Sequence, residues 1–272
     1  MTACLPTRSV EKPWGRMGLP QAFGGIDGKQ IGEVWFEPPS DQAELLIKYI
    51  FTTEKLSVQV HPSDNQTLGQ GLGRQGKEEC WLVIDAVPGA TLGIGFNEVM
   101  DADQMRAAAL DGSIEHLMTW HSVSVGDFFY IPANTVHAIG AGISLIEVQQ
   151  NSDITYRLYD YGRLRELHLD QGIAVARGEV YNAALAKHVP LTSNTALVDG
   201  PYFRLDQVVG QPDERLRSRY SAGPFFVIPR SDETPVLVKG ETVAVGQCAR
   251  VETIEDVEIQ PEGSCLFAQA IK

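Results

Sequence analysis

Leu56-Ser57-Val58-Gln59-Val60-His61-Pro62 alternates apolar and polar side chains until a proline stops it. A period of two belongs to a β-strand, so Val58 and Val60 share one face and Ser57, Gln59 and His61 share the other. A strand whose second face carries an amide and an imidazole two residues apart suits a ligand pair turned into a barrel or sandwich. On its own, the pair reads at least as well as a solvent-facing edge bearing an ordinary histidine.

Working outward, strand signals continue on both sides. Leu45 to Phe51 is a mostly apolar run, and Trp81–Ile84, Ser122–Val125, Phe128–Ile131, Ile143–Val148 and Thr155–Tyr159 follow between Gly, Pro, Asn and Asp turns. Many short strands with regular turn signals indicate a sandwich or barrel. One helix is expected from about Asp101 to Leu110, with Asp101 as N-cap and Gly112 after its end, and a short one from Asp170 to Ala176. From about Pro190 the chain again reads as short strands: Tyr202–Leu205, Phe225–Ile228, Val236–Val238, Cys248–Val251 and Cys265–Ala268. No histidine follows His188. The expectation is a mainly all-β protein of two cupin-like jelly-roll sandwiches with a few short helices. Residues 1–188 would form the domain with the metal site, and residues 189–272 a second sandwich without one.

Composition narrows the function classes. The 272 residues carry a formal net charge of −13 and show no cluster of Lys and Arg. That argues against nucleic acid and against an anionic membrane surface as partners. No apolar run approaches the roughly 20 residues of a membrane-spanning helix. None of the four cysteines (Cys4, Cys80, Cys248 and Cys265) forms a CxxC pair, and the first 15 residues lack the apolar run of a signal peptide. The expected setting is the reducing cytoplasm.

Two further residues join the pair on Gln59 and His61. Glu79 lies in Gly76-Lys77-Glu78-Glu79-Cys80-Trp81, just before an apolar strand. His137 lies in Tyr130-Ile131-Pro132-Ala133-Asn134-Thr135-Val136-His137-Ala138, after the turn pair Gly126-Asp127. Two imidazoles, one carboxylate and one amide oxygen suit Zn2+, with Mn, Fe, Co or Ni chemically open. Three strong ligands and one weak one leave room for water or substrate.

At this point the segments Leu56–Pro62, Gly76–Trp81 and Gly126–Pro132 resemble the class I phosphomannose isomerase family of the cupin superfamily, in its short bacterial form. The run Glu147-Val148-Gln149-Gln150-Asn151-Ser152-Asp153-Ile154-Thr155-Tyr156-Arg157-Leu158-Tyr159-Asp160-Tyr161 does so too, as do Lys12-Pro13-Trp14-Gly15 and Gly32-Glu33-Val34-Trp35. The resemblance covers most of residues 10–180 in the family's order. Beyond about residue 190 only the general β pattern fits. It implies one divalent ion per chain held by Gln59, His61, Glu79 and His137, with Glu79 preferred to Glu78 because it adjoins the Trp81 strand. It also implies Lys77 and Arg157 as site cations and a small-molecule substrate, a hexose 6-phosphate. The implied reaction interconverts mannose 6-phosphate and fructose 6-phosphate through a cis-enediol, in a monomer or homodimer.

Glu147 is the unassigned acid. A carboxylate in the apolar strand Ser144-Leu145-Ile146-Glu147-Val148 costs several kcal/mol unless it is paired or protonated. It reads as a proton-transfer or positioning residue, or equally as a structural ion pair. The group that moves the carbon-bound proton stays open among Glu147, His61 and a metal-bound water. Gly71-Leu72-Gly73-Arg74-Gln75-Gly76 fits GxGxxG but opens no helix, so it reads as a flexible loop near the site rather than a dinucleotide cradle. His116, His121 and His168 read as packing or surface residues. The competing function is a non-catalytic sugar-phosphate-binding cupin, which would lose ligands or positive charge. A dioxygenase-type cupin would carry more histidines on the first strand.

Overall fold

A computed structural model describes residues 4–25, 28–231 and 234–271. Most of the regular structure is antiparallel β, arranged as stacked sheets. Sheet I has seven strands in the order Thr7–Met17, Gln30–Phe36, Leu45–Phe51, Ile143–Gln150, Glu79–Ala86, Asp127–Ile131 and Ala186–His188. Sheet II has five, in the order Tyr156–Tyr159, Val58–Val60, His137–Ile139, Thr91–Phe96 and Met118–Ser122. Sheet III contains only later residues: Thr195–Asp199, Phe203–Val209, Ser264–Ala270, Phe225–Pro229 and Ala249–Val251. Sheet IV is a small three-stranded unit centred on Val236–Val238.

Four apolar layers hold this stack. Ile50, Trp81, Val83, Leu92, Ile94 and Leu145 fill the space between sheets I and II. The outer face of sheet II, including Val58 and Val60, packs on helices Ala102–Asp111 and Leu169–Val175. The opposite face of sheet I, with Phe36, Ile47, Tyr49 and Val148, packs on Phe203, Leu205, Phe226 and Leu266 of sheet III. Val227, Phe267 and Val236 close the core between sheets III and IV. Leu45–Phe51 is therefore covered on both faces, and all seven of its residues are buried. This explains why it reads as an apolar run rather than an alternation.

The helix over 102–111 begins as its sequence predicts. The Asp101 carboxylate accepts from Gln104 N at 2.8 Å, the Gln104 amide accepts from Asp101 N at 2.9 Å, and Gly112 ends the helix at φ 83°. The second helix is Leu169–Val175. One expectation shifts. The strand placed at Ser122–Val125 is instead Met118–Ser122, because Asp127 accepts from Ser124 N at 2.8 Å and turns the chain before Gly126. The Thr7–Met17 strand, which is not among the strands expected from sequence, carries no clean alternation, because its register breaks after Val10 and Glu11 and it contains Pro13.

Candidate metal centre and cavity

Register assembles the site in two rows, one on each facing sheet. Across sheet II, Arg157 lies opposite Gln59 and Gln59 opposite His137. Across sheet I, Lys48 lies opposite Glu147 and Glu147 opposite Trp81, while Glu79 lies opposite Gln149. The two rows meet in the gap between the sheets.

His61, Glu79 and His137 converge there, buried, with one ligand atom from each lying within 4.8 Å of the others. His61 Nδ1 is 2.9 Å from the Ile154 carbonyl, and His137 Nδ1 is 2.9 Å from the Thr135 carbonyl. Each Nδ1 must carry the proton to donate there, so both Nε2 atoms keep a lone pair aimed inward. His61 Nε2 and Glu79 Oε1 are buried without a hydrogen-bond partner, while Glu79 Oε2 is met by Lys77 Nζ at 2.8 Å. The separations are 3.7 Å for His61 Nε2–Glu79 Oε2 and 3.4 Å for His137 Nε2–Glu79 Oε1. They are close to the edge of a tetrahedron, about 3.3 Å, whose corners lie about 2.0–2.1 Å from a zinc ion. Gln59 adds an amide whose Nε2 is 3.3 Å from His137 Nε2, and a half-turn of that amide presents Oε1 instead. These orphaned lone pairs fit a divalent cation.

Electrostatics agree with a cation site. Burial, then Lys77 and His137, push His61 well below the ordinary histidine value. Burial also lowers His137. For Glu79, burial opposes the charge, but Lys77 and His137 outweigh it and hold the carboxyl below its usual range. The site is thus held as two neutral imidazoles and one carboxylate, the state in which they bind metal. Glu78 turns away, accepting from the Tyr130 hydroxyl, and its amide N–H donates to Gln150 Oε1 at 2.9 Å.

A cavity of about 420 Å3 opens beside this cluster and is lined by Gln59, Lys77, Glu147 and Arg157 among others. Lys77 Nζ bridges Glu79 at 2.8 Å and Glu147 at 3.7 Å. Glu147 is also met by Lys48 Nζ at 2.8 Å and by the Trp81 indole N–H at 2.9 Å. The buried acid therefore has the partners that its apolar strand demanded. Arg157 donates through Nη1 to the Glu166 carbonyl at 2.9 Å, and burial together with Arg165 lowers its guanidinium from the ordinary value. Arg165 is paired with Asp160 at 2.6 Å, which leaves Arg157 as the guanidinium with no carboxylate paired to it among the described residues, and such a cation lining a cavity favours an anionic ligand there.

Sequence reasoning missed several cavity residues. Lys48 is buried and lies 3.9 Å from Glu33, which Lys12 approaches at 3.2 Å; all three line the cavity. The available signal was a single lysine inside Leu45-Leu46-Ile47-Lys48-Tyr49-Ile50-Phe51, because an unpaired buried ammonium is as costly as an unpaired buried carboxylate. His168, expected to be structural, lines the cavity, and its Nδ1 accepts the Arg157 N–H at 3.2 Å. The GxGxxG loop does not cover the cavity, which no residue from 70 to 76 lines. Its end is pinned instead, with Gly76 N donating to Asp64 Oδ1 at 2.7 Å and Lys77 N to the Pro62 carbonyl at 2.9 Å.

Comparison with known proteins gives a consistent picture, although no protein-family model matches. The chain is 44% identical over 236 residues to mannose-6-phosphate isomerase ManA of Bacillus subtilis, covering 81% of this chain and 74% of the relative. It is 41% identical over 179 residues to mannose-6-phosphate isomerase of Streptococcus mutans, covering 63% of this chain and 56% of the relative's length. Among solved structures, mannose 6-phosphate isomerase from Bacillus subtilis superposes with a TM-score of 0.76 at 21% identity, covering 98% of each chain. A mannose 6-phosphate isomerase bound with zinc and yttrium superposes with a TM-score of 0.71 at 13% identity, covering 99% of each. At those identities the likeness speaks for the fold, and the sheet stack described above is shared along nearly the whole chain.

Proposed function

Because the chain belongs to the mannose-6-phosphate isomerase family, we propose that it interconverts D-mannose 6-phosphate and D-fructose 6-phosphate by moving a proton between C1 and C2 of the open-chain sugar through a cis-enediol. The observation that carries this reading is the convergence of buried ligand atoms from His61, Glu79 and His137 within 4.8 Å of one another, with His61 Nε2 left unpartnered, at the side of a cavity walled by Lys77, Glu147 and Arg157.

In this reading Gln59, His61, Glu79 and His137 hold one divalent ion, and the nitrogen–oxygen donor set favours zinc. A bound ion supplies a Lewis acid for the oxygens of the reacting carbons. The chain's own residues do the rest. Lys77 and Lys48 fix the Glu147 carboxylate from two sides, and Trp81 fixes it from a third, so its orientation is set before substrate arrives. A carboxylate so held is suited to take a proton from carbon and return it, and Lys77 stands where negative charge on the enediol oxygens would be met. Arg157, with Arg165 behind it, is suited to the phosphate or to the developing negative charge.

The non-catalytic reading loses ground, since the four ligand positions and both site cations of the family pattern are present. The four free thiols favour a cytoplasmic setting, and no helix among the described residues is long and apolar enough to cross a membrane. A monomer or homodimer remains our expectation for the assembly.

A coupled assay with mannose 6-phosphate, before chelation, after it, and after return of zinc, tests the reading. Activity should vanish and return with the metal, and turnover indifferent to chelation refutes the mechanism. In the same assay Arg157→Ala should keep its metal but lose turnover by about a hundredfold or more, the range expected for one preorganised charge.

A further inference from the structure

A second cavity lies on the back of sheet I, away from the metal cluster. It has a volume of about 220 Å3 and sits in the seam between the two sandwiches. Tyr49, Phe51 and Ile146 form its apolar floor. Phe23 roofs it, edge-on to Tyr49 at 4.7 Å and to Phe51 at 4.9 Å. Arg230 enters from the second sandwich, its backbone held by a 2.9 Å hydrogen bond from its N–H to the Ser264 carbonyl.

Arg230 is out of keeping with this lining. Its Nη1 is buried with no hydrogen-bond partner, and no carboxylate pairs with it among the described residues. Burial lowers the guanidinium to about 10, with only Tyr49 and Cys265 acting the other way. Elsewhere the same sandwich satisfies its buried charge: Asp206 is met by Arg215 at 2.9 Å, by Arg219 at 2.6 Å and by the Tyr220 hydroxyl at 2.9 Å. A half-buried guanidinium whose Nη1 is buried without a counter-charge is destabilising, and an anion arriving from outside would relieve that cost. At the mouth, the other cation, Arg16, already faces Asp85 at 3.9 Å.

We propose that this crevice binds a small organic carboxylate, its apolar body on Tyr49, Phe51 and Ile146 and its charge on Arg230. The volume exceeds the roughly 150 Å3 of an apolar cavity that accepts a benzene ring. The largely apolar lining disfavours an inorganic dianion, which would have to shed its water in exchange for one guanidinium. The site needs nothing from the metal centre and stands apart from the isomerase reading.

Calorimetric titration of the full-length, metal-loaded protein with benzoate tests this, with the neutral isostere benzamide beside it. Benzoate should bind and benzamide should not, and excess mannose 6-phosphate should leave the binding in place. Arg230→Met should weaken benzoate binding by about tenfold or more while folding as stably as the parent, since an apolar side chain of similar size replaces an unpaired charge. Ile84→Trp, a filling substitution at the half-buried edge of the crevice, should also abolish binding and decides the matter if the first variant fails to fold. Absence of benzoate binding overturns the proposal, as does its displacement by sugar phosphate or equal affinity in the folded variants.

Discussion

At the scale of single residues, the cluster ties stability to pH through its two histidines. In the folded protein burial keeps His61 and His137 below the ordinary 6.5, whereas the unfolded chain releases them to that value. Below pH 6.5 the unfolded state therefore binds more protons than the folded one, and stability falls with pH. Each histidine contributes up to about 1.4 kcal/mol per pH unit below that point. Urea midpoints of metal-free protein at pH 7.5, 6.5 and 5.5 should be level over the first interval and drop over the second. A level profile throughout would contradict the assigned tautomers. The residues we propose as ligands could be picked out because strand period, a Gly-Asp turn and family order marked them. Lys48 was not, because an apolar run reports burial without saying what a polar interruption faces; only the opposing strand supplies Glu147 as its partner.

At the scale of elements, the decisive local feature is the close approach of two connections. A Cβ at Gly76 would lie 2.4 Å from the Pro62 carbonyl oxygen and 2.6 Å from Asp64 N, both backbone atoms that cannot swing aside. Gly76→Ala must push apart the segment after His61 and the segment before Glu79, and with them two of the three residues proposed to hold the metal. It should cost about 1–3 kcal/mol in denaturant unfolding and reduce bound metal in the purified protein. Full stability with full metal content would show that the two connections are free to separate. From sequence alone this glycine belonged to an apparent flexible loop. Its role follows from a partner 14 residues upstream, at Pro62, which no local pattern names. The helix over 102–111, whose capping box is written within its own residues, was readable to within a residue.

At the scale of the molecule, sheet I is the shared wall. Its back face, with Phe36, Ile47, Tyr49 and Val148, is buried only because sheet III covers it. We keep the division near residue 188 as a proposal, supported by Ala186–His188 closing sheet I and Thr195–Asp199 opening sheet III. A chain ending at residue 188 would expose that face as a contiguous apolar surface. Such a fragment should appear in the insoluble fraction or as soluble aggregate on gel filtration, and a monomeric, metal-binding fragment would refute this dependence. The all-β class was readable from turn spacing, and so was a second β-rich region. The stacking order was not, because a strand buried on both sides looks the same whichever sheet covers it.

Leu45–Phe51 belongs to both halves of that wall at once. Lys48 and Ile50 line the cavity beside the His61–Glu79–His137 cluster, while Tyr49 and Phe51 look into the seam with the second sandwich. Neighbouring positions on this strand answer to different neighbourhoods, so a shift of one residue in its register would exchange the contents of the two compartments completely. Drift in this segment is therefore tied to drift in residues more than 150 positions away. The second sandwich, which supplies no residue to the His61–Glu79–His137 cluster, thus limits which residues the cavity-facing side of this strand can carry.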